Sequence, residues 1–134
     1  MEVDIRQCDI AVDDAIALFE RSTLAERRPV HRPDIFAGML ANSSLLLSAW
    51  SGDILIGLAR TLTDFSYAAY LADLAVDESF QRRGIGKRLI DETRARLQPE
   101  CMLVLLAAPK ANDYYPQQGF EHNPRAWVLP GEPA

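Results

Sequence analysis

A basic segment with two glycines lies in the second half of the chain and has the composition of an anion site. Residues 81–87 read Gln-Arg-Arg-Gly-Ile-Gly-Lys and follow an apolar stretch that ends at Val76. The glycines would let the backbone approach a ligand without an intervening Cβ atom. If a helix begins here, its free N–H groups and its dipole favour a negative charge. The arginines and the lysine could add charge-assisted hydrogen bonds, so the segment predicts a phosphate or pyrophosphate site.

A second interpretation of this segment stays open, in which it is a solvated basic helix start whose glycines serve only the turn. Two common nucleotide-binding motifs do not fit it. The P-loop needs a G-x-x-x-x-G-K-[ST] pattern, which residues 81–87 lack. The dinucleotide fingerprint G-x-G-x-x-G needs a third glycine where this chain has Leu89.

The elements before this segment are predicted to be mostly strands. Residues 44–50, 54–63 and 67–76 are apolar stretches separated by turn residues, which is typical of an antiparallel meander. Ahead of them, residues 3–5 predict a short first strand. Two short helices should follow, the first capped by Asp13 or Asp14 and the second by Asp34.

The hydrophobic period changes after Val76. An amphipathic helix that ends before Pro99 is indicated by apolar or small residues at every fourth position: Ile85, Leu89, Thr93 and Leu97. Residues 102–107 predict a buried strand that a crossover makes parallel. A short helix over 110–118 and final strand pieces at Phe120 and 127–129 complete the order. The predicted fold class is therefore α/β, with a mixed, mostly antiparallel central sheet flanked by helices.

The totals predict one domain over residues 1–134 and exclude some functions. Hydrophobic residues make up 49% and charged residues 25% of the 134 residues, which suits a compact globular chain. The net charge of −5 argues against a nucleic-acid partner and favours a cationic one. Two separated cysteines are expected to be reduced and buried, and they match no metal-site spacing. We find neither a signal peptide nor an apolar run that could cross a membrane, so the expectation is a cytoplasmic protein.

Two motifs of this chain resemble those of the GCN5-related N-acetyltransferase (GNAT) superfamily. Residues 81–86 are similar to its Q/R-x-x-G-x-G/A acetyl-CoA motif, and the stretch 74–77 is similar to the strand ahead of it. Further on, residues 111–120 resemble its A-x-x-x-Y-x-x-x-G-F segment. The resemblance covers roughly residues 3–129 and implies a single N-acetyltransferase domain with the acyl-CoA N-acyltransferase fold.

The resemblance also implies a set of residues that bind acetyl-CoA. Leu74 and Val76 would offer main-chain contacts to the pantetheine arm, with Ala75 lining the gap. The pyrophosphate would be held by the residues of the basic segment: Gln81, Arg82, Arg83, Gly84, Ile85, Gly86 and Lys87. Many family members carry an asparagine where this chain has Ala108. Asn112 could face the same side of a helix and replace it.

Catalytic roles are implied at Tyr115 and Asp73. Tyr115 matches the family tyrosine that protonates the departing CoA thiolate, while its neighbour Tyr114 would be structural. Asp73 is a carboxylate in an otherwise apolar strand and would contact the amine or a bridging water. The alternative for Asp73 is a solvated carboxylate at a strand edge. Tyr70 and His31 are secondary candidates for the base.

The reaction implied is direct transfer of an acetyl group from acetyl-CoA to the primary amine of a small molecule, with no metal. Two alternatives remain: a protein or peptide N-acetyltransferase, and a non-catalytic CoA-binding module. A homodimer is expected from the resemblance alone.

Overall fold

The structure, a computed structural model, describes residues 2–134. Its centre is a five-stranded sheet in the order β1-β2-β3-β4-β5. The strands are β1 Asp4–Gln7, β2 Leu45–Ser51, β3 Ile54–Thr63, β4 Ala68–Val76 and β5 Met102–Val104. Neighbours from β1 to β4 are antiparallel, and β5 joins β4 in parallel. The predicted meander, the parallel crossover and the mixed sheet are confirmed.

Four α-helices flank the sheet. They are α1 Val12–Ser22, α2 Pro33–Ala41, α3 Ile85–Ala95 and α4 Tyr114–Gln117. Short 3₁₀ turns cover Leu24–Arg27, Glu78–Phe80 and Pro109–Ala111. None of the helices in residues 2–134 is long and apolar enough to cross a membrane.

The predicted helix caps are wrong by two or three positions. The N-cap residues are Ala11 for α1 and Arg32 for α2, and neither side chain makes a capping hydrogen bond. Asp13, Asp14 and Asp34 lie inside the first turns instead. Carboxylates there still interact favourably with the positive end of the helix dipole.

The predicted C-terminal strands are also wrong. Phe120 and residues 127–129 belong to no strand, and the side chains of Trp127 and Leu129 are 92% and 98% exposed. The strand predicted over 102–107 ends at Val104. β-Propensity reflects packing against neighbouring strands, and these residues have no described strand beside them.

The core consists of two layers of side chains, one on each face of the sheet. One buried cluster joins β2 and β3 to the inner face of α3, through residues such as Leu47, Ile56 and Leu89. The other joins the opposite face to α1 and α2, through residues such as Leu58, Phe19 and Phe36. Both cysteines lie outside these clusters as free thiols, Cys8 exposed and Cys101 half-buried, so their predicted burial is wrong.

Candidate active site

A cleft opens where β4 and β5 separate. The two strands pair only between Ala68–Tyr70 and Met102–Val104. Beyond that point the Asp77 amide donates to the Ile56 carbonyl on the β3 side, at 2.8 Å. Main-chain groups alternate between the two edges of a strand, so those of Leu74 and Val76 face the open edge. Leu74, Ala75 and Val76 all line the cleft, whose volume is about 1350 Å³.

The basic segment forms the start of α3 at one end of this cleft. Gly84 is the N-cap residue, with a left-handed backbone (φ 79°) and no side-chain cap. Such a φ is unstrained only for glycine. The first N–H groups of α3 have no intrahelical partner. The predicted helix start at Ile85 is confirmed, and its donors are oriented as an anion site requires.

The polar side chains of this segment differ in what they contact. Gln81 Nε2 donates to the Val76 carbonyl at 3.0 Å and so closes the turn after β4. The guanidinium of Arg83 lies 5.4 Å from the centre of the Phe80 ring. Lys87 Nζ is 2.6 Å from Asp91 Oδ2, one helical turn away on the exposed face. Exposed pairs of this kind are weak, so the contact with Asp91 does not fix the Lys87 side chain in one position.

Helix α4 brings two tyrosines to the cleft wall. The Tyr114 hydroxyl lies so close to α3 that a Cβ atom on Gly86 would be 2.8 Å from it. Tyr115 packs edge-to-face against Tyr114 and Phe120, with ring centres 5.2 and 5.5 Å apart. Gly119 follows the helix with a left-handed backbone, φ 90°. The next amide, that of Phe120, donates a hydrogen bond to the Tyr115 carbonyl.

Both phenols hold their protons more tightly than usual. Burial raises the pKa of Tyr114, and the charge of Asp91 adds to this effect. Burial raises the pKa of Tyr115 as well, the neighbouring Tyr114 adds to it, and Arg28 acts in the opposite direction. Both groups are therefore neutral acids at physiological pH, as a proton donor must be.

Asp73 is neither solvated nor open to a substrate. Its side chain is fully buried, and its two oxygens accept hydrogen bonds from Arg28 Nε and Arg60 Nε, each at 2.5 Å. Asp73 is held between these two guanidinium groups and does not line the cleft, so its oxygens are not presented to an amine there. The structure thus contradicts the solvated alternative and gives no support to Asp73 as a contact for the amine.

Three other candidates do not line the cleft: Arg83, Asn112 and His31. Asn112 is exposed and does not line it, although Lys110, Ala111 and Asp113 do. The 3₁₀ turn before α4 breaks the helical spacing on which the role of Asn112 depended. His31 is also absent from the lining, and its Nε2 is 3.1 Å from a C-terminal oxygen of Ala134. Tyr70 does line the cleft.

Sequence reasoning missed Arg28 and Arg60. Arg60 is the one charged residue of strand β3 and lies opposite Asp73 in the β3–β4 register. Pairing the two strands outward from their turn would place Ala72 opposite Arg60, and the register shift between Arg60 and Thr61 brings in Asp73 instead. Arg28 comes from the loop after α1, 45 residues before Asp73, and no local pattern connects them.

Comparison with known proteins gives a consistent set of similarities. The family model of the acetyltransferase (GNAT) domain matches residues 17–126. A soybean (Glycine max) protein named "Probable acetyltransferase TAP2" is 31% identical over 129 residues, which cover 87% of this chain and 50% of that protein. The chain spans 28% and 31% of the lengths of two further plant acetyltransferases that it matches over 72 residues. It therefore spans half or less of these relatives.

Solved structures share the fold at low sequence identity. A "Probable Acetyltransferase" from methicillin-resistant Staphylococcus aureus superposes with a TM-score of 0.80 at 18% identity, covering 98% of this chain and 99% of that one. The aminoglycoside N-acetyltransferase AAC(6')-Iy in complex with CoA gives a TM-score of 0.73 at 21% identity, covering 97% and 95%.

Proposed function

Because the chain belongs to the GNAT acetyltransferase family, we propose that it transfers an acetyl group from acetyl-CoA to the primary amine of a small molecule. The observation that carries this proposal is the continuity of the cleft. One opening joins the start of α3, the unpaired edge of β4 and the wall formed by Tyr114 and Tyr115. An extended thioester carrier with a charged diphosphate and a neutral arm fits this sequence of surfaces.

Each part of the cleft has a role in the reaction. The free N–H groups of α3, with Arg82 nearby, bind the pyrophosphate. The main chain of Leu74 and Val76 hydrogen-bonds the pantetheine arm. This arrangement holds the thioester carbonyl beside Tyr115 and orients it for attack.

The chemistry proposed is a direct displacement. The neutral amine attacks the thioester carbonyl carbon, a C–N bond forms and the C–S bond breaks. The departing thiolate takes the proton of the Tyr115 hydroxyl. The proton lost by the amine leaves through water in the cleft, because Asp73 is held by Arg28 and Arg60 and does not line the cleft. Solvent then reprotonates Tyr115.

An amine panel with acetyl-CoA, followed by free-thiol release and by the mass of the amide product, tests this proposal. We expect Tyr115→Phe to lower kcat by about 10²–10⁴-fold, which is the usual contribution of a positioned acid. The affinity for acetyl-CoA should stay nearly unchanged, because the ring packing of Tyr115 is retained.

Two further phenylalanine variants serve as controls. Tyr67 is 72% exposed and lies outside the cleft, so Tyr67→Phe should have the activity of the parent protein. Tyr114→Phe should retain most of its turnover if Tyr115 is the acid. Unaltered turnover in Tyr115→Phe would remove Tyr115 from that role, and acetyl-CoA binding without turnover across the panel would favour a non-catalytic module.

A further inference from the structure

Arg28 and Arg60, whose guanidinium groups are both paired to Asp73, line the same cleft as the start of α3. We propose that they bind a carboxylate on the acceptor, so that the acceptor is an amine that also carries a carboxylate group. This inference rests on the proposed function and specifies its acceptor. The expectation that the acidic chain attracts simple cationic amines would then not hold at this site.

The first argument is a local imbalance of buried charge. Asp73 is the ion-pair partner of both arginines, and neither has another carboxylate partner among residues 2–134. The Arg28 and Arg60 side chains are only 23% and 11% exposed. One carboxylate neutralises one guanidinium, so a positive charge remains in a largely desolvated position. Leaving it unpaired is costly, and a ligand carboxylate would offset that cost.

The second argument comes from the hydrogen-bond donors. A guanidinium carries five N–H groups. Arg28 uses three of them, on Asp73, the Arg27 carbonyl and the Ala72 carbonyl. Arg60 uses two, on Asp73 and the Met39 carbonyl. The other donors have no partner in the described chain, and a planar carboxylate can accept two of them in parallel.

The third argument is position. Arg28 Nη2 donates at 2.9 Å to the carbonyl of Ala72, two residues before Leu74 on the same open edge of β4. Arg28 is also near enough to affect the Tyr115 phenol electrostatically. A carboxylate bound at Arg28 would therefore keep an amine on the same molecule close to the thioester.

The charge around Arg28 and Arg60 favours a monoanion. The cleft lining includes Arg27, Arg28, Arg60 and Glu26, and Asp73 is buried against Arg28 and Arg60. Three positive charges against two negative ones leave one positive charge, whereas the whole chain carries −5. The remaining walls are largely apolar, with Met39, Leu62 and Tyr70 among them. An amino acid with an apolar side chain matches both features.

The test compares acceptors that differ in the carboxylate. Phenylalanine is assayed against phenethylamine and phenylalaninamide, which lack the negative charge. We expect kcat/KM for phenylalanine to be higher by about tenfold or more, the lower end of what a hydrogen bond to a charged group contributes. In Arg28→Gln, the ratio of kcat/KM for phenylalanine to kcat/KM for phenethylamine should fall close to one, while phenethylamine is still acetylated. A purely structural role of Arg28 would lower both values and leave their ratio unchanged.

The controls separate this inference from the proposed function. Arg94 is exposed on α3 outside the cleft, so Arg94→Gln should keep the wild-type ratio. If Arg28→Gln does not fold, the inference is tested by the ratio of kcat/KM for phenylalanine to kcat/KM for phenethylamine in the wild-type protein. Equal or better use of phenethylamine would overturn the inference and leave the transferase proposal intact. If no amine is acetylated, the transferase proposal fails, and calorimetry of 3-phenylpropionate against 3-phenylpropanamide still tests the arginine site. Equal affinity for these two compounds would refute it.

Discussion

At the scale of single residues, the contact between Gly86 and Tyr114 joins helices α3 and α4, which both line the cleft. Position 86 lies in the first turn of α3, and the Tyr114 hydroxyl from α4 occupies the space that a side chain there would need. A glycine is therefore required for a packing reason in addition to backbone approach to a ligand. Tyr114 is structural in this sense, because it positions α4 and with it Tyr115.

A double-mutant cycle measures this contact. Alanine at position 86 would place its methyl group 2.8 Å from Tyr114 Oη but 3.6 Å from Cζ. We expect Gly86→Ala to lower the free energy of unfolding by about 1 kcal/mol and to weaken acetyl-CoA binding, because the phenol must move. In the Tyr114→Phe background the same change should be neutral or stabilising by up to about 1 kcal/mol, since alanine favours helix. Thermal unfolding of the four proteins gives the coupling, and strictly additive effects would contradict the contact.

At the scale of elements, α3 owes its position to a close approach to β3. A Cβ atom on Gly57 would lie 3.1 Å from Leu89 Cδ1 and 3.3 Å from Ile85 Cγ2. Both partners are buried side chains of α3, and Ile85 is its first residue. The height of α3 above the sheet therefore sets where its N-terminal donors lie relative to the open edge of β4.

Gly57→Ala should move α3 away from the sheet. We expect it to lower the free energy of unfolding by about 1–3 kcal/mol, the usual cost of overpacking a core, and to weaken acetyl-CoA binding as the N–H groups shift. Gly38 in α2 is the matched control, because a Cβ atom there meets nothing within 4 Å. Gly38→Ala should be neutral or stabilising. Urea unfolding measures the free energy of unfolding, and calorimetry measures the affinity for acetyl-CoA. A normal affinity in Gly57→Ala would show that acetyl-CoA binding does not depend on how closely α3 packs against β3.

At the scale of the whole molecule, an ion pair ties helix α1 to the turn that follows β4. Arg21 of α1 donates to Asp77 Oδ2 and to the Leu55 carbonyl, each at 2.7 Å. Asp77 follows β4, and its Oδ1 accepts the Ser79 amide at 2.9 Å. Burial acts to raise the pKa of Asp77, but the hydrogen bonds from Arg21 and Ser79 outweigh it and lower that pKa. The carboxylate is thus stabilised in the folded state.

This pKa shift predicts how stability depends on pH. A lowered pKa in the folded state contributes stability above the unfolded value of about 3.9, and this is lost as the pH falls below it. Asp77→Asn should therefore lower the free energy of unfolding by about 1–3 kcal/mol at pH 7, with a smaller difference below pH ~4. Denaturant unfolding across this pH range is the measurement. Asp9, which is exposed, gives the control Asp9→Asn, and a difference for Asp77→Asn that is independent of pH would contradict the ion pair.

The homodimer and the cytoplasmic location stay predictions.

Local patterns in the sequence were sufficient to predict most of the elements that build the cleft. Apolar stretches and the turn residues between them predicted the meander and all ten residues of β3, and the four-residue period predicted the start of α3 at Ile85. The two motifs predicted the family. These features depend on neighbours along the chain, where side-chain spacing directly reports the backbone conformation.

Only the tertiary structure decided which distant groups share a buried environment. The Arg28–Asp73–Arg60 cluster joins a loop and two strands, and in it Asp73, a candidate contact for the amine, is a buried carboxylate that pairs with two arginines. The exposed residues 127–129 show the converse, because a strand-forming composition has no effect without a partner strand. Hydrogen bonding between strands and the burial of charge are set by contacts across the fold. The spacing of residues along the chain therefore carries no direct record of them.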